Sequence, residues 1–377
     1  MRPVGVEEEF LIVDGADGQP VALGDVLERL QGDDGLSSEM KQEQIETCTL
    51  PRIGLAELAR DITTRRASAD TVARSVGARS VALATSPLPV TTTTTPGLRY
   101  EQMVQRFGLT AAEQLTCGCH VHVEVESDEE GVAVLDRIRV WLPVVAALTA
   151  NSPFWNGVDT GYASYRAQAW NRWPTAGPCE IFGSAEAYHA QVRGILRSGV
   201  PLDEGQIYFD ARLSHRHPTV EIRVGDVCLF ADDAVLLAAV VRGLVETAAR
   251  QWRAGVEPVP ASATQLRLAC WQASRFGLDG QLMDPPTGER RAAFGVVMGL
   301  LDHLQPALKD QGELGTVEFL LFQALARGTG AVRQRTVHAR AGSLGAVVAD
   351  AVEASNLPVT SLQDLTHPFL LSSNQDS

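Results

Sequence analysis

The sequence predicts an α+β fold in which strands come first and helices follow. Strand-like runs rich in valine, isoleucine and threonine end near residue 226, and broad apolar stripes at helical spacing take over from Ala231. No regular strand–helix–strand alternation links the two regions, no period of roughly 20 to 50 residues marks a repeat, and no Pro-, Gly- or Ser-rich linker cuts the chain. The expectation is one unit over 1–377, sheet-rich at 1–230 and mainly helical at 231–370.

RPVGVEEEFLIVD opens the chain as a strand, and the Asp-Gly turns of DGADGQP end it. EQIETCTL reads as a second strand. Residues 55–77 carry apolar side chains at helical spacing and stop at Gly77, a suitable C-terminal cap. VALATSPLPV reads as a strand ended by prolines, and TTTTT at 91–95 as a loop without chemistry. CGCHVHVEV at 117–125 is a valine-rich strand, and Asp128 to Leu148 a helix opened by acidic residues and kinked at Pro143. Residues 150–178 hold Gly157, Gly161, Gly177 and three prolines without a sustained period, which describes a long ordered loop. IYFDARLS and TVEIRVGD around the HRHP turn form a hairpin, hence an antiparallel sheet. Helices follow at 232–253, 262–275, 291–309, 315–327 and 343–355, and SSNQDS is a frayed end.

A net charge of −14 excludes nucleic acid and anionic membrane as main partners, because both need a clustered positive surface. Six cysteines in 377 residues are too sparse for a disulfide scaffold and read as reduced thiols. With no signal-like opening and no apolar run of roughly 18 residues, the expected compartment is the cytoplasm. Walker-type, G-x-G-x-x-G, H-E-x-x-H and G-x-S-x-G motifs are all missing.

Strand alternation supplies the candidate site. His120, His122 and Glu124 share one face of their strand, while Cys117 and Cys119 share the other, which disfavours a cysteine zinc site. Glu7 shares a face with Glu9, Gln44 with Glu46, and Glu221 with Arg223. One polar face is ordinarily the wet side of a sheet. Here the polar side chains are nearly all carboxylates and imidazoles, and lysine is absent from all four strands. Carboxylates gathered in this way repel one another unless cations hold them, and oxygen-rich sites with one or two imidazoles suit Mg²⁺ or Mn²⁺ bridging to nucleotide phosphates. Glu8 falls with Val6 and Phe10 and receives no role. In the 150–178 loop, Arg166 and Arg172 are candidates to clamp phosphate or carboxylate, with Tyr165, Trp170 and Trp173 as pocket walls. Arg223 is the better placed anion binder because a strand fixes it beside the metal face. His215 and His217 belong to an exposed turn, and His189, His303, His338 and His367 to no cluster.

In order along the chain, VGVEEEF, EMKQEQIE, CGCHVHV, ANSPFWNGVDTGYASYR with WNRWPTAGP, and TVEIRVGDVC resemble the glutamate–cysteine ligase-like carboxylate-amine ligases of bacteria, over about residues 3–230. The resemblance implies a glutamine synthetase-like catalytic fold, with an antiparallel sheet curved around ATP and divalent metal ions. It further implies metal ligation by Glu7, Glu9, Glu39, Glu46 and Glu221, Glu46 being a firmer match than Glu39. His120 matches the family's metal-binding histidine better than His122, although parity brings both to the site. Arg223 matches the arginine that meets the transferring phosphate, which makes Glu221 and Arg223 the catalytic pair, and Arg166 and Arg172 are assigned with Arg223 to nucleotide or substrate. The implied reaction joins the γ-carboxylate of L-glutamate to an amine, nominally L-cysteine, through an acyl phosphate with release of ADP and phosphate. No residue identifies a thiol-bearing acceptor, so a ligase for another amine is the alternative. A small-molecule phosphotransferase and a non-catalytic metabolite-binding regulator are the other readings. A homodimer is common for enzymes of this kind.

Overall fold

The computed structural model describes residues 1–32 and 35–359, so the expected frayed end SSNQDS and His367 lie outside the described residues. In chain order the strands are β1 (Val4–Asp14), β2 (Leu36–Ser38), β3 (Gln44–Cys48), β4 (Ala78–Val81), β5 (Gly118–Glu124), β6 (Phe154–Trp155), β7 (Val158–Asp159), β8 (Ala211–Leu213), β9 (Thr219–Asp226), β10 (Gln281–Met283) and β11 (Arg290–Ala292). The helices are α1 (Gly24–Gln31), α2 (Leu55–Ser75), α3 (Leu98–Phe107), α4 (Leu109–Ala112), α5 (Asp128–Ile138), α6 (Leu142–Leu148), α7 (Tyr165–Trp170), α8 (Ala185–Arg197), α9 (Ala231–Arg253), α10 (Ala263–Phe276), α11 (Ala293–Gln311), α12 (Leu314–Arg327), α13 (Gly330–Ala341) and α14 (Leu344–Ser355).

One sheet organises the molecule, with the order β2-β3-β1-β5-β9-β8 and β4 paired to the far end of β1, every pairing antiparallel. The α+β expectation therefore holds. Alternation works as the sequence predicts: Val4 and Val6 of β1, Val121 and Val123 of β5, and Val220 and Ile222 of β9 are buried in one core with α2, α5 and α9. Helix α9 is buried on most sides because it runs between the sheet and α11 and α12. Among the described residues no helix is long and apolar enough to cross a membrane.

Glu8 acquires a partner that local reading could not supply. It lies on the apolar side of the sheet, 2 % exposed, where Arg66 of α2 grips it with two hydrogen bonds of 2.5 and 3.0 Å. Arg66 also donates to the carbonyls of Cys228, Leu229 and Ser355, so this ion pair ties β1 to α2, α14 and the segment after β9.

Several boundaries differ from expectation. VALATSPLPV at 81–90, expected as a strand, is not one: β4 ends at Val81, its first residue, because the backbone beyond it finds partners outside a ladder. The Ala82 N–H donates to Ser355 Oγ, and the carbonyls of Ala82 and Ala84 accept from Asn151 Nδ2 and the Cys117 N–H. The helix expected from Asp128 to Leu148 is two helices, with Pro143 in the first turn of α6, where a missing N–H costs nothing. The expected loop at 150–178 contains the β6–β7 hairpin and α7, capped by Ser164. The TTTTT segment runs beside residues 39–43: Lys41 bridges Thr94, and Thr95 N–H reaches the Met40 carbonyl.

Candidate active site

Strand register, more than any single motif, assembles the site. In the β1–β3 pair Glu9 lies opposite Glu46, in β1–β5 Glu7 lies opposite His120, and in β5–β9 His122 lies opposite Glu221. Directly opposed residues place their side chains on one face within about 5 Å at Cβ. The result is a row of donors crossing four strands. It contains three groups whose ligand atoms lie within 4.8 Å of one another: Glu9, Glu39 and Glu46; Glu7, Glu46 and His120; and Glu7, His122 and Glu221. Glu46 is common to the first two and Glu7 to the last two. Glu39, just past β2, reaches the row because Thr95 Oγ1 holds its carbonyl at 2.5 Å.

The ionisation pattern follows from this crowding. Burial, then the charge of Glu9, raises the Glu39 carboxyl to about 7. Burial, then the charges of Glu39, Glu7 and Glu9, pushes Glu46 well above the ordinary carboxylate range. Glu7 behaves oppositely: burial disfavours its charge, but His120 and His122 more than offset this and hold it well below the usual range. Glu221 is likewise low despite burial, because Arg223 and Arg212 flank it. Burial and then the positive Arg223 lower His120 and favour a neutral imidazole.

A divalent cation fits these residues by a direct criterion. The Nε2 atoms of His120 and His122 are buried without a hydrogen-bond partner among the described residues. His122 Nδ1 lies 3.0 Å from Thr219 Oγ1, and its Nε2 lies 3.2 Å from Glu7 Oε1 without hydrogen-bond geometry. An imidazole held through one nitrogen with the other bare among carboxylates is the usual disposition of a metal-ligating histidine. Oxygen donors predominate, which suits Mg²⁺ or Mn²⁺.

Arg223 lies at the β9 end of this row. Its guanidinium is buried, donates to Glu221, and lies 5.7 Å from the Trp170 ring and 6.0 Å from that of Tyr208. Arg166 of α7 faces Trp170 from 5.7 Å, donates to the Arg223 carbonyl at 3.3 Å and lies 4.0 Å from Asp226. Asp226 accepts from the Asn151 N–H and from Ser152 and Ser164 Oγ, which fixes the start of α7 and so aims Arg166. Arg212 was missed by sequence reading, although alternation through β8 places it opposite Glu221, which it grips with hydrogen bonds of 2.8 and 3.2 Å. Cation binding by Glu221 thus competes with two guanidinium groups.

Arg172 is not brought to the donor row. It is exposed, donates to Glu113 Oε2 at 2.6 Å and to the Ala169 carbonyl at 3.3 Å. Trp173 and Trp170 wall the arginine side, packed with Tyr208, whereas Tyr165 packs on Trp155 and Tyr162. His215 and His217 are exposed, as expected.

The fold is shared with a glutamate–cysteine ligase of Francisella tularensis solved in complex with AMP, at a TM-score of 0.69 and 14% identity, covering 97% of this chain and 89% of that one. A bifunctional glutathione synthetase from Pasteurella multocida matches at a TM-score of 0.68 and 16% identity, over 94% of this chain and 52% of that one. These likenesses define the fold class: an antiparallel, helix-flanked sheet shared with those two proteins. At the sequence level, residues 3–350 match glutamate-cysteine ligase family 2 (GCS2). A Streptomyces avermitilis protein provisionally named glutamate–cysteine ligase 2-1 is 52% identical over 93% of this chain and 99% of its own length. A Paenarthrobacter aurescens protein provisionally named glutamate–cysteine ligase 2-3 is 54% identical over 90% of this chain and 81% of its own. The chain belongs to glutamate-cysteine ligase family 2, and with it to the ligases that join a carboxylate to an amine.

Proposed function

We propose that this chain is an ATP-dependent ligase joining the γ-carboxylate of L-glutamate to an amine, with L-cysteine as the leading acceptor, through an acyl phosphate. The observation that carries the reading is the row from Glu9 to Glu221, with two bare imidazole nitrogens and Arg223 at its end. A carboxylate oxygen of the donor attacks the γ-phosphorus of ATP and ADP leaves. The amine nitrogen then attacks the acyl carbonyl carbon, phosphate leaves and the amine gives up one proton.

The first step brings together two anions, and this chain's residues answer that repulsion. Glu7, Glu9, Glu39, Glu46, His120 and His122 would hold Mg²⁺ or Mn²⁺, which supplies neutralisation of phosphate charge when bound. Arg223 is fixed by Glu221 and walled by Trp170 and Tyr208, so its positive charge is oriented before the reaction and shielded from bulk water on its aromatic side. Arg166, aimed from α7, adds a second cation beside it. No enzyme nucleophile takes part, and burial raises the thiols of Cys48 and Cys179, which disfavours thiolate at neutral pH. The six free cysteines suit a reducing cytoplasm, and small molecules are the partners this site would take.

The test is ADP release with L-glutamate against a panel of amino acids and amines, with the product weighed by mass spectrometry. Amine-dependent ADP release and a γ-glutamyl amide are expected. A panel in which cysteine gives no γ-glutamylcysteine removes the acceptor assignment, a stable phosphorylated product formed without amine favours the phosphotransferase reading, and no turnover with any pair removes the ligase reading.

A further inference from the structure

Away from the donor row, a cavity of about 280 Å³ opens between the end of α10 and one face of α13, just below the roughly 300–1,000 Å³ of ordinary ligand pockets. One wall begins at the N-terminus of α13, where Thr329 occupies the capping position and is 6 % exposed. A capping threonine ordinarily accepts from the second or third N–H of its helix. Here the second, on Ala331, goes to the Ala150 carbonyl at 3.0 Å, and the third, on Val332, has no acceptor among the described residues. The Thr329 hydroxyl makes no hydrogen bond there either. Thr329 and Val332 both line the cavity. A buried hydroxyl and a helix N–H left open on one space describe a seat for a hydrogen-bond acceptor, and the helix end favours an anionic one.

Arg335, one turn further along α13, lines the cavity as well. Its Nε and one terminal nitrogen go to Asp159 and the Tyr162 carbonyl, and the other terminal nitrogen has no acceptor among the described residues. Asp279, the acidic residue of the lining, is exposed, so water screens it, yet its charge stands against a second carboxylate in the space. Phe276, 40 % exposed, and the small side chains of Ala331 and Ala339 make the rest apolar. The inner wall is keyed to the arginine side of the donor row. Ala163 and Ala331 pack with Ala150 in a small buried cluster, and Ala163 precedes Ser164, the cap of α7, whose hydroxyl donates to Asp226. Gln334 of α13 donates to the Asn151 carbonyl and Oδ1 at 2.9 and 2.7 Å, Gly330 leaves no room for a Cβ against Asn151, and the Asn151 N–H donates to Asp226. A ligand on this face of α13 therefore bears on the group that aims Arg166.

We propose that this cavity is an effector site, separate from the donor row, for a small monocarboxylate with an apolar body. The carboxylate takes the Thr329 hydroxyl, the Val332 N–H and the open nitrogen of Arg335, and the body lies on Phe276 and the alanines. An ammonium would meet donors at the helix end, and a dicarboxylate would bring its second charge to Asp279. Occupancy holds the start of α7 in place and with it Arg166. The site stands whether or not the chain is a ligase, because nothing in it takes part in the proposed reaction.

Isothermal titration of the full chain with hexanoate, adipate and hexylamine reads the binding, and hydrogen exchange followed by mass spectrometry reads the link to α7. Hexanoate is expected to bind, with adipate and hexylamine at least about tenfold weaker. Thr329→Val, which keeps the side chain's shape, and Arg335→Ala should each raise the hexanoate Kd by about tenfold. Ala339→Trp, at an exposed position of the lining, should weaken hexanoate as well by filling the space without touching the core. In wild type, hexanoate should slow exchange over residues 164–170, and in Thr329→Val it should not. No hexanoate binding, equal binding of adipate or hexylamine, or an unchanged Kd in all three variants overturns the site. Hexanoate binding that leaves exchange at 164–170 unchanged overturns its effector role.

Discussion

Replacing Glu46 by Gln removes a carboxylate shared by two donor groups, those with Glu9 and Glu39 and with Glu7 and His120. At separations up to 4.8 Å and an effective dielectric near 20, each ionised pair repels by about 3.5 kcal/mol. Burial and the neighbouring carboxylates push Glu46 well above the ordinary carboxylate range, which favours its protonated form in metal-free protein and relieves that repulsion. Gln is close to the protonated form, so the Tm of the metal-free variant at pH 7 should stay within about 2 °C of wild type. Added Mg²⁺ separates the two. At about 100 times its Kd, the ion stabilises wild type by about 2.7 kcal/mol, or roughly 3–5 °C for a chain of this length, and the variant by far less. Turnover should fall by about 100-fold or more, beyond what loss of a supporting partner costs. Differential scanning fluorimetry with and without Mg²⁺, beside the ADP-release assay, reads both effects. Equal Mg²⁺-induced shifts and equal turnover would refute the assignment of Glu46 to a cation site.

Other consequences follow from the same geometry. Because Glu39 titrates near 7 in the folded protein against an ordinary 4.5, the folded state holds a proton that the unfolded state has released, and metal-free stability falls as pH rises from about 4.5 to about 7. Urea unfolding in EDTA should show wild type losing up to about 3 kcal/mol relative to Glu39→Gln over that window, and parallel curves would contradict it. Thr219→Val removes the group that orients His122 and should weaken Mn²⁺ binding by about 10-fold to 100-fold without unfolding the chain, measured by equilibrium dialysis. Arg66→Ala leaves Glu8 buried and unpaired and should cost about 3–5 kcal/mol, whereas Arg66→Met with Glu8→Leu should cost less, both by urea titration; a larger loss in the double variant would be contrary.

Period-two alternation made much of the donor row legible from sequence, because a strand fixes the parity of its side chains and an antiparallel sheet brings equal parities to one face. Glu7 with Glu9, His120 with His122, and Glu221 with Arg223 needed only that rule. What could not be read were contacts made over long sequence separations. Glu8 gave no sign of Arg66, which is 58 residues away on a helix, and Arg172 gave none of Glu113. The threonine run looked featureless, yet its backbone satisfies residues 39–43, whose own groups need partners beside the β3 edge. Arg212 lies in IYFDARLS and is open to the same parity test, but its grip on Glu221 follows from the β8–β9 register, which one strand alone does not reveal. At VALATSPLPV, strand propensity was overruled by side chains of Asn151 and Ser355 that arrive from elsewhere.

The most direct test of the central claim is anomalous diffraction from crystals soaked in Mn²⁺. The account predicts peaks along the row from Glu9 to Glu221, with Glu46 and Glu7 each touching two of the donor groups. A full-occupancy ion bound elsewhere, with this row left bare at saturating Mn²⁺, would contradict it.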